Sequence, residues 1–153
     1  MAVVIELDGV LKNSITPIVS GINLYKILNQ KYKVFIICGD KKKAENFLLS
    51  NRLNKVDDLI DESFVPHEYG RALNKRQIDF IRSKGNIDFV VTANTMLAKQ
   101  LLEDGLEVLL FLHPHYIRPE FRPDMAEGVR RWADIESEID KQNAMIQNDK
   151  RVL

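Results

Sequence analysis

Residues Val3 to Leu11, reading Val-Val-Ile-Glu-Leu-Asp-Gly-Val-Leu, constrain the fold more than any other stretch of the chain. Apolar β-branched residues run directly into two carboxylates spaced two apart, Glu6 and Asp8, and then a glycine. That pattern predicts a buried strand ending in an acidic turn. Residues i and i+2 of a strand point to the same side, so the two carboxyls are expected to project together from the strand's C-terminal end. Open α/β sheets take their ligands at that end.

The rest of the chain repeats the rhythm. Residues 16 to 30 carry Ile18, Ile22 and Tyr25 at helical spacing, with Thr16 as N-cap and Pro17 in the first turn. Lys33 to Cys38 is a short apolar run closed by Gly39 and Asp40, the signature of a strand buried on both faces. A helix over 41 to 53 turns Ala44, Phe47 and Leu48 inward, and the segment Lys55 to Tyr69 offers one short edge strand or two. Arg71 to Lys84 forms a helix with Leu73, Gln77, Phe80 and Ile81 on one stripe, stopped by Gly85. Ile87 to Ala93 is a buried strand, Asn94 or Thr95 caps a helix to Asp104, Gly105 ends it, and Glu107 to Leu112 is a fifth strand. Strands alternating with helices require crossovers, hence a three-layer, Rossmann-like α/β domain with a mostly parallel five-stranded sheet.

From His113 the character changes. Pro114, Pro119 and Pro123 favour an extended path. A last helix is expected over about Val129 to Gln147, where Trp132, Ile135, Ile139 and Ile146 make an apolar stripe. The organisation is therefore an α/β core over 1–112 and a proline-rich extension over 113–153 that ends in a helix, packed on the same domain or on a partner. Such a stripe is more often core than interface, and a protein partner or a homo-oligomer is the alternative use of that helix.

Composition sets outer limits. With 153 residues and 45% apolar positions, the chain is the size of one domain with a single core. Lysine plus arginine equals aspartate plus glutamate at 22 each, so no overall field favours nucleic acid or an anionic membrane. The lone Cys38 excludes an internal disulfide and suits a reducing compartment. Glu6 breaks the first apolar run too early for a signal peptide or a transmembrane span. The expectation is a soluble, cytoplasmic protein, in the host cytoplasm if the source is viral.

With Asp8, Gly9, Val10 and Leu11 in place, the acidic turn resembles the first motif of the haloacid dehalogenase (HAD) superfamily, Asp-x-Asp-Gly-(Val/Thr)-(Leu/Ile). In that family the first Asp attacks phosphorus, the second protonates the leaving group, and Mg²⁺ lies between the phosphate and the acids. The resemblance covers about residues 2 to 112 and implies strands ordered 5-4-1-2-3, with no large cap because residues 7–32 hold little beyond one helix. It also implies roles for particular residues. Glu6 stands at the nucleophile position, Asp8 at the acid/base, and both are the metal ligands. Lys75, with Arg71 and Arg76 as rivals, stands for the lysine that neutralises the site. Cys38 takes the slot of a phosphate-binding Ser or Thr, beside Gly39, and also reads as a buried structural thiol. Asn94 takes the place of a metal-binding acid at the end of the fourth strand. The extension faintly resembles tails of small HAD-like proteins from bacteriophages.

These departures shape the functional expectation. One added methylene at Glu6 displaces the attacking oxygen by on the order of 1 Å, an error that costs roughly 10²-fold in a positioned reaction. Without an acid near Asn94, Mg²⁺ binding is weak or absent. Lys41 to Lys43 place three cations in a helix's first turn, against its dipole, which suits either a bound anion or a solvated face. His113 and His115, with Arg118 and Arg122, offer either an anion-reading strip or, as we prefer, a segment that Tyr116 and Phe121 help to pin onto the sheet. The first expectation is a HAD-like pseudoenzyme, a ligand-binding or protein-interaction module with lost or strongly reduced phosphohydrolase activity. The alternative is a Mg²⁺-dependent phosphatase acting on a small phosphorylated metabolite such as a nucleotide.

Overall fold

The computed structural model describes residues 2–53, 58–117, 137 and 139–145. Five strands make one sheet: β1 (Ala2–Glu6), β4 (Lys33–Ile37), β5 (Asp58–Ile60), β6 (Ile87–Thr92) and β7 (Val108–Leu110). They stand in the order β5-β4-β1-β6-β7, and every pairing is parallel. A small hairpin of β2 (Lys12–Asn13) and β3 (Thr16–Pro17) stands apart from this sheet. Four helices make the crossovers: α1 (Val19–Leu28), α2 (Lys41–Ser50), α3 (Leu73–Lys84) and α4 (Thr95–Glu103).

The alternation within β1 explains the three layers. Val3 and Ile5 join a core with Ile22 and Tyr25 of α1 and Phe47 and Leu48 of α2. Val4, between them, joins the opposite core with Ile78 and Ile81 of α3 and Leu97 and Leu101 of α4. Both faces of the strand are thus buried, which is why it reads as an uninterrupted apolar run. Glu6 lies two residues beyond Val4 and so emerges on the α3 side. The chain leaves β1 for β4 and β5 on one flank and returns to β6 and β7 on the other. Strand order reverses beside β1, and the crevice over its C-terminal end is where a doubly wound sheet takes ligands.

Several boundaries differ from the sequence reading. Thr16 and Pro17 pair in the hairpin, so α1 starts at Val19, with Ile18 in the cap position and no side-chain cap. Ser14, at φ 58°, makes the tight turn. Between β1 and the hairpin the chain closes one wide turn, Leu7–Leu11, in which Lys12 N–H donates to Leu7 O and Gly9 takes φ 96°. The doubtful stretch before Tyr69 yields one strand, β5, and a short 3-10 turn at Glu62–Phe64. Gly105, at φ 82°, ends the α4 segment as expected.

Past β7, Pro114–Ile117 coil into a 3-10 turn and bury Tyr116 against the core. Residues 139–145 are helical, inside the span expected for the last helix. Trp132, Ile135, Ile146, Phe121, Arg118 and Arg122 lie outside the described residues. No helix among the described residues is long and apolar enough to cross a membrane.

Candidate functional site

A cleft of about 240 Å³ opens over the C-terminal ends of β1, β4 and β6. It is lined by Glu6 and Asp8 from β1 and its turn, Cys38 and Gly39 from the end of β4, Leu73, Asn74 and Gln77 from α3, and Asn94 after β6. The structure therefore brings Glu6, Asp8, Cys38, Gly39 and Asn94 together. The two acids differ in setting. Glu6 is 8% exposed, whereas the Asp8 side chain is 60% exposed and meets Lys12 Nζ at 3.4 Å.

Lys75 and Lys41 are placed elsewhere. The Lys75 ammonium contacts Asp79 at 2.6 Å and Asp104 at 2.7 Å, and Arg71 joins the same network through Asp79. Burial pulls the Lys75 pKa down, but hydrogen bonds to Asp104 and Asp79 outweigh it and hold the group above its ordinary value. Asp104 is correspondingly held below its usual carboxylate range, chiefly by the Lys75 hydrogen bond. A network of this kind ties α3 to the end of α4. Facing Glu6 in its place is the neighbouring residue, Asn74, whose Nδ2 donates to Glu6 Oε2 at 3.3 Å and whose Oδ1 accepts from Lys75 N–H at 2.8 Å. Lys41 lies on the exposed face of α2, 4.0 Å from Glu45.

Cys38 and Asn94 face the cleft but spend polar atoms on the fold. The Cys38 thiol donates to Ile60 O at 3.7 Å. Burial, reinforced by the charges of Asp61 and Asp8, pushes its pKa up to about 12. A thiol so disposed stays protonated at neutral pH and is a poor nucleophile. Iodoacetamide is therefore expected to label Cys38 far more slowly in the native protein than in denaturant; equal rates would show that the folded thiol is as accessible and as reactive as that of an unfolded chain. Asn94 Oδ1 caps α4 by accepting Leu97 N–H at 3.1 Å, and Thr92 Oγ1 in turn accepts Asn94 N–H at 3.0 Å. Gln77, wholly buried, donates from Nε2 to Cys38 O at 2.7 Å and to Ile60 O at 3.2 Å, locking the ends of β4 and β5 beneath the cleft.

For Mg²⁺ the donor set is thin. Glu6 and Asp8 offer two carboxylates, and no group of three or more His, Cys, Asp or Glu side chains among the described residues is arranged to hold a metal. Mg²⁺ prefers six near-octahedral oxygens, so a shell begun by Glu6 and Asp8 would need a ligand's phosphate oxygens and water to complete it.

A second cleft, of about 380 Å³, lies under the hairpin. It shares Asp8, Cys38 and Gly39 with the first and adds Lys12, Ser14, Ile15, Asp40 and Lys43. Sequence reasoning passed over Lys12, Lys43 as distinct from its neighbours, and Asn74. Lys12 had a signal, its spacing of four from Asp8; Asn74 had only adjacency to Lys75. Tyr116 completes the surroundings, its hydroxyl donating to Gly9 O at 2.7 Å inside the acidic turn. Compared with known proteins, the chain matches no family model, no curated protein and no solved structure.

Proposed function

We propose that the chain is a HAD-like ligand-binding domain that keeps the cleft of that superfamily for a small phosphorylated molecule while phosphohydrolase activity is lost or strongly reduced. The observation that carries this reading is the exchange at α3: an amide, Asn74, faces Glu6 where a lysine is needed, while Lys75 is engaged with Asp79 and Asp104. An attacking carboxylate and an incoming phosphoryl group are both anionic. With the α3 lysine held by Asp79 and Asp104 instead of standing at Glu6, that helix does not offset their repulsion. Cys38 adds to this, since its proton goes to Ile60 O. The fold is consistent with the reading: the five parallel strands, numbered among themselves, run 3-2-1-4-5, which is 5-4-1-2-3 seen from the other edge. That order is shared by other doubly wound sheets, so the function rests on the site.

The test is phosphate release from a panel of phosphorylated metabolites with Mg²⁺ and with Mn²⁺, comparing the native protein with Glu6→Asp, Asn74→Lys and the pair combined. The native protein is expected to show no turnover above background, and turnover gained by the combined variant would mean that the ligand's phosphoryl group lies at residue 6. Turnover by the native protein that Asp8→Asn abolishes would establish instead a working Mg²⁺-dependent phosphatase with Glu6 in the nucleophile position.

A further inference from the structure

The two clefts that meet at Asp8 differ in charge. Among the described residues no lysine or arginine lines the first, whose ionisable walls there are the carboxylates of Glu6 and Asp8 and the thiol of Cys38. The second sets Lys12 and Lys43 beside the carboxylates of Asp8 and Asp40. The Lys12 side chain is mostly packed away, 13% exposed, and its ammonium lies 3.4 Å from Asp8, a carboxylate that is itself mostly in water. Lys43 sits in the first turn of α2, where a cation opposes the helix dipole. Its backbone N–H is taken by Asp40 at 3.2 Å, and its ammonium forms no ion pair among the described residues. Between the clefts stands Gly39, and a Cβ placed there would meet no atom within 4 Å. The passage over Gly39 is open.

We propose that the cleft under the hairpin is the anion subsite: the ligand's phosphoryl group lies on the hairpin side of Asp8, between the ammonium groups of Lys12 and Lys43, and the rest of the ligand crosses Gly39 toward Glu6. This rests on the ligand-binding reading above and names the chemistry of its ligand. The far end meets a carboxylate that accepts hydrogen bonds and cannot donate them. A ligand matched to both ends is a phosphomonoester with hydroxyl or amino donors opposite its phosphoryl group, a polyol phosphate or an amino-alcohol phosphate. The first cleft alone is smaller than the roughly 300 Å³ at which small-molecule sites begin, whereas the two joined give such a ligand room.

Backbone amide shifts of the full chain, titrated with inorganic phosphate and then with methyl phosphate and glycerol phosphate, test the assignment. Phosphate is expected to move the amides of Lys12, Ser14, Ile15 and Lys43, with Asn74 and Asn94 responding only to glycerol phosphate, which binds tighter than methyl phosphate. Lys12→Gln and Lys43→Gln should each weaken phosphate binding about tenfold, the loss of one charge-assisted hydrogen bond, and Lys42→Gln should leave it unchanged. Lys43 is exposed, so its variant keeps the assay decisive even if Lys12→Gln disturbs the Asp8 turn. Shifts confined to Asn74 and Asn94, with native affinity in the Lys43 variant, would overturn the subsite and leave the ligand-binding reading intact. Absence of shifts in either cleft with all three probes would overturn both.

Discussion

Gly21→Ala is expected to lower the melting temperature by roughly 6 to 12 °C, the consequence of about 3 kcal/mol of lost stability in a domain of this size. Helix propensity alone gives the opposite sign, because alanine inside a helix is favoured over glycine by about 1 kcal/mol. The structure reverses it. Gly21 lies on the face of α1 that packs against the acidic turn, and a Cβ there would stand 1.7 Å from Val10 O and 2.7 Å from Val10 C. Both atoms are backbone, so no rotamer change relieves the clash; either α1 or the turn must move. The turn also receives Ile18 N–H on Leu11 O at 2.9 Å, so moving the helix strains a second contact. Displacement carries Asp8 with it, and phosphate binding should weaken along with stability. Gly39→Ala is the matched control, with open space around the added methyl, and should stay within about 0.5 kcal/mol of the native protein. Thermal unfolding of both variants decides the matter: an unchanged or raised melting temperature for Gly21→Ala would mean that α1 does not touch the turn.

The same contact marks where sequence reasoning stops. The strands β1, β4 and β6 were legible because burial on both faces writes a continuous apolar run, and the helices between them because one face must repeat every third or fourth residue. The glycine of α1 carried no such signal, since its role depends on a backbone it meets only after folding. Thr16 and Pro17 misled for a different reason. A capping residue followed by proline suits a helix start, yet the same pair suits a short extended strand, and two-residue strands are too brief to show alternation. Within the site, the acids on β1 were legible from a local motif, but the partner of Glu6 was not. Successive residues of a helix point about 100° apart, so one position separates Asn74, which faces the cleft, from Lys75, which turns to Asp79 and Asp104. Spacing in sequence does not resolve a single step of that size. The cation at Lys12 was missed because the wide turn Leu7–Leu11, unforeseen, is what brings residues 8 and 12 together.

Tyr116→Ala should cost about 3 to 5 kcal/mol, the range for emptying a buried aromatic site, and Tyr116→Phe should separate packing from hydrogen bonding. The side chain is 1% exposed, and its hydroxyl reaches across 107 residues of sequence to Gly9 O at 2.7 Å. Phenylalanine keeps the ring in place but leaves that carbonyl without the phenol, a loss of about 1 to 3 kcal/mol. Because Gly9 adjoins Asp8, the Phe variant should also shift the Gly9 and Val10 amides and change phosphate affinity, effects that a merely space-filling tyrosine would not produce. The pH dependence supplies a separate signature. Burial, and then the negative charges of Asp8 and Glu6, raise the Tyr116 pKa from 10.0 to about 12. A raised pKa means that the folded protein holds the proton more tightly than the unfolded chain. The resulting stability is fully present below pH 10.0, the unfolded value, and is lost as pH rises toward the folded value near 12. Denaturant unfolding across that alkaline window should therefore show the native protein losing stability faster than Tyr116→Phe, which has no phenol to titrate. Parallel pH profiles, together with unshifted Gly9 and Val10 amides, would place Tyr116 in solvent and detach the segment after β7 from the site.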